Sequence, residues 1–438
     1  MPWSLPRILV GILALSTNQV VLSDELTAPK SVLSTVEQAM VAWVDTQQSQ
    51  MVAELKSHVD INTGTDNVTG IDAYRAVLEA ELQQLGFATQ TIEARPQVIL
   101  SCDGRPLKLA NHLLAERKGK PGARRIFLNG HMDTVFSARD EFQTLQIDAD
   151  GVLRGPGVAD MKGGIVVMLT ALRALMTEAM LEDAHITVLL NSDEEVGSLD
   201  SRALIETLAQ AHDIGLVFEG TTENRMTRAR KGLGQVRLKV TGRESHAGGA
   251  HADGVSANLE LAHKIIAIES LTNYAQQMTV NTGVMRGGEK RNTIPGCADA
   301  YIDLRFPDQA AGEGLQAKIK TIVDSPSTSN QRFADLPHTE MWSVLHRPAK
   351  QPHPAVDALI AEIMMISASL GDAVIGTVYS GGGTDGSIAQ HAGLPTVDSL
   401  GVDGGGAHSS REFSSIESLV ARSKLAAIVL ARQIQTAP

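Results

Sequence analysis

The sequence predicts an α/β layered domain interrupted by an inserted α+β domain, and three observations carry this. Between residues 125 and 218 short apolar runs alternate with helical stretches. From Gln235 the apolar residues switch to strict alternation, and after Pro348, Pro352 and Pro354 a long helical pattern returns. Taken in order, residues 32–59 carry Val36, Met40, Val41 and Val44 at the three-to-four spacing of a helix with one buried face, and a second amphipathic helix is expected over Ile71–Leu85. The runs 125–129, 185–190 and 214–218 are apolar without alternation, which fits strands covered on both faces, and helices are expected between them over Met161–Met180 and Ser201–Ala211. Gln235-Val236-Arg237-Leu238-Lys239-Val240 has period two and predicts a half-exposed strand. A helix over Ser256–Ser270, strands over Gln277–Thr282 and Ala298–Leu304, and a helix over Ala310–Val323 complete the inserted unit. The helix Ala355–Leu370 resumes the first pattern. The resulting division is 1–23, 24–232, 233–347 and 348–438.

Composition narrows the classes of function. The 438 residues are 43% hydrophobic, enough for buried cores and against disorder. A formal charge of −12 with 3% aromatics argues against an electrostatic nucleic-acid binder, and is compatible with a site that gathers carboxylates around metal. The start MPWSLPR-ILVGILAL-STNQVVLS reads as a secretory signal peptide ending at Ser23, because its apolar run is far shorter than the roughly 20 residues that span a membrane. The mature chain is therefore expected to be periplasmic or secreted. Cys102 and Cys297, two cysteines 195 positions apart, are read as unpaired.

Polar motifs gather at the carboxyl ends of the predicted strands, where an open α/β sheet forms its ligand crevice. Gly130-His131-Met132-Asp133 sets a carboxylate two residues from an imidazole, so that Asp133 can fix the His131 ring. Alone, this pair also suits a polar turn. Asp160, in GPGVADMKGG, precedes a long helix and could simply cap it. Asp193-Glu194-Glu195 follows an apolar strand, and three acids there must be solvated or meet cations. Glu219 ends another strand, and His408 follows the glycine run 404–406 on the same loop. Together His131, Asp160, Glu195, Glu219 and His408 are a donor set suited to two zinc ions sharing one carboxylate.

With GHMDTV, GPGVADMKGG, NSDEEVGS, LVFEG, ESHAGG, RNTIPGCADAYIDLRF, GGGTDG and GGAHSSREF in this order, the chain resembles the dinuclear-zinc metallopeptidase family of aminoacylase, succinyl-diaminopimelate desuccinylase and bacterial glutamate carboxypeptidase. It is most similar to the glutamate carboxypeptidase branch. The resemblance implies a layered catalytic domain with an inserted dimerisation or lid domain, and a homodimer. It implies one zinc on His131 and Glu219, a second on Glu195 and His408, and Asp160 bridging. Asp133 would orient His131, Glu194 would be the general base, and His246 would stabilise the oxyanion, often in a neighbouring subunit's site. Asn292, Arg305, Arg230, Gly383 and Thr384 match positions that bind the substrate carboxylate and scissile carbonyl. Arg305 is favoured because Ile302, Leu304 and Phe306 leave it, with Asp303, on the open face of its strand. Opposite directions for Glu194 and Glu195 are expected from alternation at the strand end. In one respect the sequence departs from the family: Gly220 follows Glu219 where the glutamate carboxypeptidase branch has proline.

The expected reaction is zinc-dependent hydrolysis of an amide beside a free carboxylate, releasing a C-terminal amino acid such as glutamate from a small-molecule or short-peptide substrate. An aminoacylase or deacetylase of N-acyl amino acids is the alternative within the class. A non-catalytic periplasmic binding protein is the alternative outside it, and Glu194 argues against that, since a binder needs no base beside its metal ligands. Neither nucleic acid nor a membrane span is expected.

Overall fold

The strand Arg125–His131 is buried from Ile126 to its end, and alternate side chains go to opposite layers: Ile126 and Leu128 join one apolar cluster, Phe127 another. This is why the sequence there is continuously apolar. The computed structural model describes residues 33–372 and 375–437. The expected signal peptide over 1–23 lies outside them. Among the described residues no helix is long and apolar enough to cross a membrane.

The main sheet has six strands in the order Ala88–Ile92, His112–Arg117, His185–Asn191, Arg125–His131, Ile214–Val217 and Thr396–Val397. The last four run parallel, while the first two and the step to His185–Asn191 are antiparallel. One face carries the helices Thr35–Thr46, Gln48–Val59, Lys162–Thr177 and Ile416–Gln435; the other carries Arg202–Ala211 and Asp385–His391. The stretch 32–59 is two helices, the first opened by a capping box between Ser34 and Glu37.

The inserted unit is a four-stranded antiparallel sheet, in the order Thr279–Gly287, Cys297–Phe306, Gly232–Thr241 and His338–Arg347. The helices Ala257–Glu269 and Gln309–Asp324 cover one face of it. Val236, Leu238, Val240, Ile302, Leu304 and Phe306 point into their shared core, and Arg237, Asp303 and Arg305 point away. The alternation read from the sequence is the burial pattern observed.

The two cysteines are paired, contrary to expectation. Cys102 and Cys297 form a disulfide, with Cα atoms 5.9 Å apart. The inserted unit folds back over the main one, so the loop after residue 98 meets the first residue of the strand Cys297–Phe306, and the Cys102 amide donates to Asp299 Oδ2 at 3.2 Å. Separation along the chain says nothing about this distance once two units close on each other.

Candidate active site and metal centre

Three parallel strands end at one crevice. His131 is the last residue of its strand, the turn Glu194–Val196 follows His185–Asn191, and Glu219 lies just past Ile214–Val217. Gly404–Gly405 pairs with Phe413–Ser415, which pairs with Val152–Arg154, and this lays the His408 loop beside the Gly155–Asp160 loop. Glycine is required where the layers touch. A Cβ at Gly164 would collide with the Phe218 carbonyl oxygen, and one at Gly220 would lie 2.5 Å from that of Ala159. The second contact accounts for glycine after Glu219, since any side chain there would push the Asp160 loop away.

Asp160 is central. Its Oδ1 lies 3.1 Å from His131 Nε2 and its Oδ2 3.2 Å from His408 Nε2. His131 Nε2 is also 3.5 Å from Glu219 Oε1, and His408 Nε2 is 3.2 Å from Glu195 Oε2. The five residues thus form two donor groups sharing Asp160, and ligand atoms of His131, Asp160 and Glu195 fall within the span of a single metal ion. Asp160 does not cap the helix behind it, whose N-cap is Met161. Instead the amides of Gly157, Ala159 and Asp160 donate to the Glu412 carboxylate at 3.1, 2.8 and 3.0 Å, which fixes the loop.

The electrostatics are those of a site short of positive charge. Burial and the nearby Asp160 push Glu195 above the usual carboxylate range, and burial does the same to Glu219 despite His131. Hydrogen bonds to Asp160 and Glu195 hold the His408 imidazolium up to about 11. Burial opposes protonation of His131, but Glu219, Asp133 and Asp160 outweigh it. Asp160, despite its burial, is held well below the usual carboxylate range by His131 and His408, so the strain falls on Glu195 and Glu219, and divalent cations would meet the same demand for positive charge.

Asp133 has a wider role than the sequence suggested. Its Oδ1 is 3.5 Å from His131 Nδ1, whose closer partner at 2.9 Å is the Asp133 carbonyl oxygen. The carboxylate also accepts from the amides of Glu194 and Glu195 at 3.2 Å each, and from Thr65 Oγ1 at 3.0 Å. One buried side chain therefore ties the His131 loop to the acidic turn. That turn is 3-10 helical rather than extended, which corrects the expected strand alternation. The divergence of the two glutamates comes from one step of a three-residue turn. Glu195 faces His408, and Glu194 faces Arg347 at 2.7 Å.

The cleft has a volume of about 590 Å³ and is walled by both units: Asp160, Glu194, Glu195, Glu219 and His408 on one side, Gln235, Asp303, Arg305 and Arg347 on the other. Arg230, Gly383 and Thr384 line it too. Arg305 is held by Asp303 at 2.7 Å and by the Gly381 carbonyl at 3.1 Å. Arg230 is buried and bidentate to Asp398, at 3.0 and 3.1 Å, and donates to the Gly382 carbonyl at 3.2 Å, so it braces the glycine loop. His246 and Asn292 are exposed and are not among the lining residues. They lie on neighbouring segments of the inserted unit, where His246 pairs with Thr293 in a two-stranded ladder. Arg347, Asp385, Asp398 and Glu412 also belong to the site or its supports, which the sequence does not reveal. All four are buried charges whose partners are distant in sequence, and only Asp385 and Glu412 fall within the motifs GGGTDG and GGAHSSREF.

The model for peptidase family M20/M25/M40 matches residues 127–432. Carboxypeptidase G2 of Pseudomonas sp. (strain RS-16) is 30% identical over 388 residues, 87% of this chain and 88% of that protein. A succinyl-diaminopimelate desuccinylase of Erythrobacter litoralis (strain HTCC2594) is 27% identical over 56% of this chain and 67% of its own length. The metallo-carboxypeptidase Sso-CP2 of Sulfolobus solfataricus superposes with a TM-score of 0.67 at 16% identity, over 88% of this chain and 100% of that one.

Proposed function

From the premise that the chain belongs to the M20/M25/M40 family of metallopeptidases, we propose that it is a two-zinc carboxypeptidase removing glutamate or a similar C-terminal amino acid from an N-acyl or peptidyl substrate. The observation that carries this is Asp160, whose two oxygens each face a different histidine 3.1–3.2 Å away. His131 and Glu219 would hold one ion, His408 and Glu195 the other, and Asp160 both. Bound there, the ions supply Lewis acidity toward the scissile carbonyl and make water nucleophilic at neutral pH.

The chain's own groups do the rest. Glu194, turned away from the ligands and steadied by Arg347, takes a proton from the attacking water and delivers it to the departing amine nitrogen. Arg305, on the opposite wall, offers a guanidinium suited to forked binding of the substrate's free carboxylate. Gly383 and Thr384 shape the pocket braced by Arg230, and Asn292 would approach the carbonyl. The His246 ring accepts from the amides of Gly248 and Gly249 through Nδ1, at 3.1 and 3.0 Å, which leaves Nε2–H free to donate to an oxyanion. Its exposure favours a role in the site of a second copy. Leu259 and Ile266 on Ala257–Glu269 and Met285 on the edge strand Thr279–Gly287 are exposed apolar groups that would pair two subunits. Gel filtration showing a monomer would refute the pairing. The N-terminal pattern, together with a disulfide of the kind that persists in oxidising compartments, supports export.

The similarity to carboxypeptidase G2 favours a carboxypeptidase, and the motif resemblance to the glutamate carboxypeptidase branch favours glutamate, while the similarity to a desuccinylase keeps hydrolysis of N-acyl amino acids as the second reading. A panel of acyl and peptidyl substrates varying the C-terminal residue, assayed with zinc, distinguishes them. Faster turnover of N-acetyl derivatives of other amino acids than of peptides ending in glutamate would reject the first reading.

A further inference from the structure

Away from the cleft, a second group of metal-type donors lies between two helices under the catalytic loop. Glu54 and His58 are four residues apart on Gln48–Val59, hence on one face, and Glu81 meets them from Val68–Gln84. One ligand atom from each lies within 4.8 Å of the other two, and His58 Nε2 is 3.3 Å from Glu81 Oε1. The His58 side chain is 0% exposed, that of Glu54 9% and that of Glu81 18%, so the group is nearly dry with one side reachable by water.

Hydrogen bonding within the protein leaves this group incomplete. Arg173 takes Glu54 Oε2 at 2.7 Å, but Glu54 Oε1 is buried without a partner, and so is Glu81 Oε2. Unsatisfied carboxylate oxygens in a buried site are costly, and an ordinary ion pair would have used them. The imidazole is prepared as a ligand. The Tyr74 hydroxyl lies 3.2 Å from His58 Nδ1 and can accept its proton, which frees Nε2 toward the two carboxylates.

We propose that Glu54, His58 and Glu81 form a separate site for one divalent transition-metal ion, with water completing its coordination. One imidazole nitrogen and two carboxylate oxygens suit zinc and its neighbours better than calcium or magnesium, which prefer oxygen donors alone. The ion would clamp the two helices together. It would also brace the catalytic segment, because Lys162, two residues beyond Asp160, donates to the carbonyls of His58 at 3.0 Å and Ile61 at 2.7 Å and stacks 5.1 Å from the Tyr74 ring.

The test compares the full chain with His58→Gln and Glu81→Gln after saturation with zinc and removal of excess ion by gel filtration. Each variant is expected to retain one zinc fewer per chain than the parent and to lose the part of the zinc-dependent rise in thermal midpoint that this site supplies. Should His58→Gln fail to fold, Glu81→Gln, which keeps the side chain's size and polarity, carries the measurement alone. A zinc content in Glu81→Gln equal to that of the parent overturns the site. Because the readout is a difference between proteins with the same cleft, it stands or falls apart from the proposed activity.

Discussion

Arg347 sets one guanidinium nitrogen 2.7 Å from Oε1 of Glu194 and 3.0 Å from the carbonyl oxygen of the same residue, gripping side chain and main chain together. This grip aims Glu194 away from Glu195 and the histidines, as a base that must not become a ligand requires. Glu194→Gln preserves the shape and part of the hydrogen bond but cannot take a proton. We expect kcat to fall by about 10²–10³, roughly 3–4 kcal/mol of transition-state stabilisation, with zinc content unchanged. Near-parental turnover in a metal-replete variant would remove Glu194 from the mechanism.

Arg347 itself is 2% exposed and lies 3.2 Å from Asp385 as well as beside Glu194. Arg347→Ala leaves two carboxylates in a poorly hydrated place without their cation. The expected cost is about 3–5 kcal/mol of folding stability, and kcat should drop because the base is no longer held. Urea unfolding with the zinc level fixed measures the first and steady-state kinetics the second. A loss under about 1 kcal/mol, the scale of an exposed pair, would mean the contact is incidental.

Chelation should abolish hydrolysis, and returning zinc should restore it. Binding should also release protons at neutral pH, since His408 is held protonated up to about 11 by Asp160 and Glu195 when they have no metal. Calorimetric titration with zinc in buffers of different ionisation enthalpy reads this directly. Affinity is expected to rise with pH, and a buffer-independent heat would contradict the ligand assignment.

The Cys102–Cys297 bridge joins the loop after residue 98 to the inserted sheet, away from the crossings near residues 232 and 347. Cys297→Ser should therefore lower stability by about 2–5 kcal/mol. Thiol titration should find no reactive cysteine in the native protein and two after reduction. Identical unfolding midpoints with and without reductant would show that the link adds nothing.

The layers and the residues that gather at the crevice were legible because each is written locally. The continuous apolar runs ending at His131, Asn191 and Val217 report burial on both faces, and alternation over Gln235–Val240 reports a single buried face. His131, Asp160, Glu195, Glu219 and His408 each sit in a short motif at a strand end or on a glycine loop. What escaped depends on contacts made only after folding. The Glu412 carboxylate meets the Gly157 amide from 255 residues away, and Arg347 meets Glu194 from 153 residues away. The opposed glutamates were expected for the wrong reason, since a 3-10 turn rather than a strand separates them. Two cysteines 195 residues apart carry no sign of their distance in space.

Asp398 supplies a test of the buried charges behind the glycine loop. It is fully buried and faces the Arg230 guanidinium in a forked pair, Lys350 Nζ at 3.1 Å and Thr384 Oγ1 at 3.3 Å. Burial alone would raise its affinity for a proton, but Arg230 and Lys350 prevail and hold it well below the usual carboxylate range. The folded value therefore lies below the unfolded one of about 3.9. Above the unfolded value Asp398 is ionised in both states and its stabilisation is fully present. As pH falls toward the folded value the unfolded chain binds the proton first, so stability declines. Asp398→Asn removes that part of the acid dependence. It also strands two buried cations, which should cost about 3–5 kcal/mol at pH 7. Metal-free protein is the right material, because the titration of the cleft is then common to both proteins and cancels in the difference. Urea unfolding between pH 7 and pH 3 should show the parent losing stability more steeply than the variant below about pH 4. Parallel profiles would mean that Asp398 titrates alike in the folded and unfolded chains, and that Arg230 is braced by the glycine loop's carbonyls without need of a counter-ion.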